Sequence, residues 1–70
     1  MKIILTDTFN NTIISTHRTI ATAVAKRIKH SKAVRRANGQ NSYVTYSIRA
    51  EDGSDIRYEV DAEENRQQNG

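Results

Sequence analysis

The sequence predicts a small α+β domain of ββαββ order: a four-stranded antiparallel sheet with one amphipathic helix packed on one face. Three observations predict it. Segments rich in strand-forming residues lie on both sides of Asn10-Asn11, and Asn tolerates the positive φ of a tight turn. Residues 19–37 then run without Pro or Gly and are rich in Ala, Lys and Arg, with apolar residues at helical spacing. Two alternating apolar segments finally flank Glu51-Asp52-Gly53.

Each element has its own warrant. Residues 2–9 carry Ile, Thr and Phe without a breaker, and residues 12–16 repeat that character. With Asn10-Asn11 as a two-residue loop, Phe9 faces Thr12 and Asp7 faces Ile14. Leu5, Phe9 and Ile14 then share one sheet face, with Ile4 and Ile13 on the other. A three-residue loop shifts that register, and the doublets Ile3-Ile4 and Ile13-Ile14 leave both open. Thr16 or Thr19 caps the helix. Ile20, Val24 and Ile28 recur every four residues, the stripe thins near His30-Ser31, and Asn38-Gly39 supplies the stop. For the second hairpin, residues 43–50 and 54–60 flank a three-residue loop with Gly at its third position. That register pairs Ile48 with Ile56, Tyr46 with Tyr58 and Val44 with Val60 on one face. The expected core is therefore Leu5, Phe9, Ile14, Ile20, Val24, Ile28, Val44, Tyr46, Ile48, Ile56, Tyr58 and Val60. Residues 1–61 make the domain, and the polar, aperiodic residues 62–70 read as a disordered tail.

Seventy residues hold one domain at most, and only 14 are Ile, Leu, Val or Phe, so the core is thin. No apolar run approaches the roughly 18 residues of a membrane span. The chain has no Cys, which excludes disulfide scaffolds, Cys-zinc sites and thiol catalysis. The start polarises too soon for a signal peptide, and a cytoplasmic location is expected. No phosphate loop or nucleophile motif appears, so the expectation is a non-enzymatic chain without cofactor. His17 and His30 are too isolated to make a metal site.

Charge is the most informative feature. The net charge of +3 hides an asymmetry. The first 50 residues hold nine Lys and Arg against the single acid Asp7, while residues 51–70 hold seven acids against Arg57 and Arg66. At about 100° per residue, Arg18, Lys29 and Arg36 fall nearly in line opposite Val24, flanked by Lys26 and Lys32. Lys and Arg are good helix formers, and a charged helix face is most often simply solvated. Solvated helices, however, mix charge signs between neighbouring turns, and here nearly every such pair repels. The favoured expectation is a nucleic-acid-binding domain, for DNA or RNA. Arg18, Lys26, Lys29, Lys32 and Arg36 contact phosphates, and His30, Arg35 and Tyr43 are auxiliaries. Few long polar readers stand on that face, so little base specificity is expected.

A second class of function fits the same features. The outer sheet face carries Tyr43, Thr45, Ser47 and Arg49, with Ile4 or Ile13 beside them. Exposed Ile or an uncovered edge strand favours a protein partner or a homodimer over base stacking. The acidic end can also fold back on the basic helix. In size and element order the chain resembles, at the level of architecture only, several small phage or mobile-element proteins, including some anti-CRISPR inhibitors. That resemblance implies a compact inhibitor or adaptor binding a protein by charge complementarity or an exposed sheet face, and it assigns no residue roles.

Overall fold

The computed structural model describes residues 2–39 and 44–69. Five elements follow one another: β1 (Ile3–Asp7), β2 (Thr12–His17), α1 (Ile20–Asn38), β3 (Tyr46–Ala50) and α2 (Arg57–Asn69). The fold is α+β, with a three-stranded antiparallel sheet of order β2-β1-β3 and two helices. Both outer strands run antiparallel to β1 and therefore parallel to each other. Parallel strands need a crossover, and α1 supplies it by passing over β1. The central strand is accordingly the most buried: Ile3 and Leu5 are fully enclosed, and Thr6 and Asp7 nearly so.

The first hairpin forms with a different register. Asp7, not Phe9, pairs with Thr12. The reason is the Asp7 carboxylate, which accepts hydrogen bonds from the backbone N–H groups of Phe9 and Asn10 at 2.9 and 3.0 Å and from the Asn10 side chain at 2.9 Å. This Asx-type closure makes a wider loop over residues 8–11, with Asn11 at φ 57°. Phe9 leaves the expected core and is 73% exposed. The pairing shifts between Leu5 and Thr6, so Leu5 faces Ser15, Thr6 faces Ile13 and Ile14 is the extra, bulged residue. The bulge settles the Ile doublet by turning Ile13 outward, where it is 58% exposed.

The helix α1 starts where Thr19 caps it: its hydroxyl accepts from the Thr22 N–H at 3.2 Å. It runs unbroken through His30-Ser31 and ends at Gly39, at φ 101° with its N–H on the Arg35 carbonyl.

The second hairpin does not form, and the ββαββ order, with the architectural resemblance drawn from it, gives way to ββαβα. β3 pairs with β1 instead: Ile48 lies opposite Leu5, Ala50 opposite Ile3 and Tyr46 opposite Asp7. The turn at residues 51–53 is present, with Gly53 at φ 85° and its N–H on the Ala50 carbonyl at 3.1 Å. Beyond it the chain does not return as a strand. The Asp55 carboxylate accepts the Arg57 N–H at 3.2 Å, and the Val60 N–H donates to the Ile56 carbonyl at 2.9 Å. Ile56 and Val60 satisfy strand alternation and helical i,i+4 spacing equally, and such short apolar runs are ambiguous by periodicity alone. The helix-forming Glu, Ala, Arg and Gln residues that follow decide for α2. It occupies the segment read as a disordered tail. Tyr58, expected opposite Tyr46, stands 83% exposed on its outer side.

Ile3, Ala23, Ala50 and Ile56 form the buried cluster, with Ile20, Ile48 and Val60 packed against it. Leu5 and Val24 are fully buried as well. Both helices lie on this side of the sheet. The shortest dimension, 16 Å, accommodates just these two layers. The opposite sheet face, with Ile4, Thr6, Ile13, Thr16, Ser47 and Arg49, is left uncovered by either helix.

Candidate nucleic-acid interface

The crossover role of α1 determines which of its sides meets solvent. Ala23 and Val24 are buried, while Ile20, Arg27, Ile28, His30, Ser31 and Val34 are half-buried. The other side carries Lys26, Lys29, Lys32 and Arg36, all exposed, and Arg18 stands exposed just before the helix begins. The small residues Thr22, Ala25 and Ala33 lie exposed between them. At about 1.5 Å rise per residue, Lys29 and Arg36 stand about 10 Å apart along the axis.

Among the described residues, no carboxylate pairs with these cations. Among the described residues the ion pairs join Lys2 to Glu51 at 3.4 Å, Arg27 to Glu64 at 2.9 Å, Arg57 to Asp55 at 3.0 Å, and Arg66 to Glu63. None involves Arg18, Lys26, Lys29, Lys32 or Arg36. Three of the four lie away from α1. The Asp55 carboxyl is held down to about 2, chiefly by hydrogen bonding to Arg57, and Glu63 is lowered first by its bond to Arg66. Much of the acidic segment therefore satisfies itself locally, and the row on α1 keeps an uncompensated positive potential.

The auxiliaries divide. His30 does not join the row. It turns inward, with Nδ1 2.7 Å from the Tyr46 hydroxyl and its ring edge-on to the phenol at 5.6 Å between centroids. Helical spacing puts residue 30 on the flank that faces β3, where a polar aromatic finds a half-buried partner. The Tyr46 phenol is pushed up by burial and, next, by the Asp7 carboxylate opposite it. Asp7 itself is lowered, first by the Asn10 backbone hydrogen bond. The aspartate thus serves the turn. Arg35 is exposed on the flank nearest α2, and Tyr43 lies outside the described residues. His17, 2.7 Å from the Ser15 hydroxyl, joins Lys2, Thr16 and Arg18 around a shallow hollow of about 440 Å³ at the start of the row.

Arg27 is the residue the sequence reading passed over. It is a half-buried cation whose partner, Glu64, comes from α2. Gln67 fastens the same helices by donating to the Ala21 carbonyl at 2.9 Å. Ile56, Val60, Glu64 and Gln67 lie at helical spacing in the sequence, and that was the available sign of a second helix docked on α1. Among the described residues, no helix is long and apolar enough to cross a membrane. Compared with protein-family models, with curated proteins and with solved structures, the chain matches none.

Proposed function

We propose that the chain binds nucleic acid through phosphate contacts along the exposed face of α1. One observation carries the reading: Arg18, Lys26, Lys29, Lys32 and Arg36 are solvent-facing and, among the described residues, unpaired with any carboxylate. Neutralising phosphates with such a row releases condensed counterions, which gives affinity that falls steeply with salt and depends little on sequence. Thr22 is the neutral hydrogen-bonding side chain within the row, so base readout is weak.

The test is fluorescence anisotropy with labelled duplex DNA, single-stranded DNA and duplex RNA at two salt concentrations. Wild-type chain binds with a negative salt slope. Lys29→Glu with Arg36→Glu reduces that slope by about two, near 0.9 for each lost phosphate contact on duplex DNA, and abolishes measurable binding at physiological salt. Absence of binding at low salt refutes the proposal. The favoured reading would then be a protein-docking one, for which the exposed Phe9 and Ile13 on the first hairpin speak.

A further inference from the structure

Beside the row, α1 and α2 enclose a groove of about 430 Å³ lined by Arg27, Ile28, Ser31, Lys32, Arg35, Gln67 and Gln68. Three cations meet there, and no carboxylate belongs to the lining. Glu64 approaches from α2 and takes one Arg27 Nη at 2.9 Å, which neutralises one charge and leaves two. The Arg27 Nε is buried and has no hydrogen-bond partner among the described residues, so Arg27 stays with Glu64 and the groove's free donors come from its neighbours. Gln67 is committed elsewhere: its carboxamide nitrogen serves the Ala21 carbonyl and Glu63 at 2.9 and 3.0 Å. Gln67 therefore braces the groove, while the exposed Gln68 offers its own carboxamide.

We infer that this groove seats a phosphate group. Lys32, Arg35, the Ser31 hydroxyl and the Gln68 amide offer donors from both helices. A tetrahedral anion with several oxygens uses such a spread of donors better than a planar carboxylate with two. The two uncompensated charges match the roughly −1.5 to −2 of a phosphate monoester near neutral pH. They also suit a backbone phosphodiester reached from the row, because Lys32 belongs to both surfaces. The inference rests on the reading of α1 as a phosphate-contacting helix and extends it: α2 builds part of the interface instead of only shielding it.

The test is an amide and side-chain NMR titration with inorganic phosphate, against sodium chloride at matched ionic strength. Saturable shifts at Ser31, Arg35 and Gln68, absent with chloride, are expected. Gln68→Glu places a carboxylate in the groove at an exposed position. It weakens phosphate binding about tenfold or more, the scale of a lost hydrogen bond to a charged group. Circular dichroism verifies that the variant folds. Shifts confined to Arg18, Lys26 and Lys29, shifts that never saturate, or a Gln68→Glu variant that binds like wild type overturn the inference.

An oligonucleotide arm, with and without a 5′-phosphate, separates the sources. Groove shifts with both strands identify a backbone phosphate, those needing the 5′-phosphate a terminal one, and those with inorganic phosphate alone a small phosphate compound. The two readings fail separately. If Lys29→Glu with Arg36→Glu abolishes oligonucleotide binding while phosphate leaves the groove silent, only the groove falls. If phosphate saturates the groove while that pair leaves oligonucleotide binding intact, only the row falls.

Discussion

Truncating Ile56 and Tyr58 in turn tests whether residues 57–69 dock as a helix. Ile56 is 6% exposed and belongs to the buried cluster with Ile3, Ala23 and Ala50. Ile56→Ala removes three carbons, about 0.8 kcal/mol each by transfer, and leaves a cavity that raises the loss to about 2–4 kcal/mol. A chain of 70 residues has a total stability of about 3.5–10 kcal/mol, so this substitution removes a large share of it. The chain also exposes 5180 Å², where a compact fold of 7.9 kDa exposes roughly 4400 Å², leaving little other core to compensate. Tyr58 is 83% exposed, and Tyr58→Ala costs within about 0.5 kcal/mol, as surface substitutions do. In a hairpin the same tyrosine would pack against Tyr46 and cost several times more. The assay is urea unfolding followed by circular dichroism at 222 nm, with midpoints compared at a common slope. A Tyr58→Ala loss above about 1.5 kcal/mol, or an Ile56→Ala loss below about 1 kcal/mol, refutes the helical docking.

Acid and the open sheet face supply two further predictions. Asp7, Asp55 and Glu63 all titrate below their ordinary values, through the Asn10 backbone, Arg57 and Arg66 hydrogen bonds respectively. A carboxylate depressed in the folded state contributes stability above its unfolded pKa and loses it as pH falls through the folded one. The urea midpoint should therefore hold from neutral pH to the ordinary carboxylate range. It should then fall as the pH drops towards about 2, where Asp55 protonates; a midpoint that rises on acidification contradicts the assignment. Thr6 is 9% exposed at the middle of the uncovered sheet face, and its hydroxyl has no hydrogen-bond partner among the described residues. Thr6→Val keeps the shape and the β-branch while removing that orphan, so thermal and urea unfolding should show a gain of about 1 kcal/mol.

What the sequence determined by itself was local. The first hairpin, the caps of α1 at Thr19 and Gly39 and the turn at Gly53 depend on neighbours a few residues away, and each was legible. So was the exposed side of α1, because the apolar stripe at Ile20, Val24 and Ile28 leaves Lys26, Lys29, Lys32 and Arg36 facing outward. The hairpin register was not legible, because it turned on three hydrogen bonds to the Asp7 carboxylate; these set Asp7 instead of Phe9 opposite Thr12 and leave Phe9 in the loop, outside the core. Tertiary structure decided the rest. Ile56 and Val60 obey the strand and helix periods alike, so that pair alone could not choose; the helix formers after it favour α2, and where that helix docks was decided by tertiary contacts. The partner of β3 proved to be β1, and the apolar side of residues 56–67 found its place on α1. The Arg27–Glu64 pair and the groove beside it join residues far apart in the chain. No periodicity encodes such contacts; they exist once α1 has crossed β1 and α2 has come to rest against it.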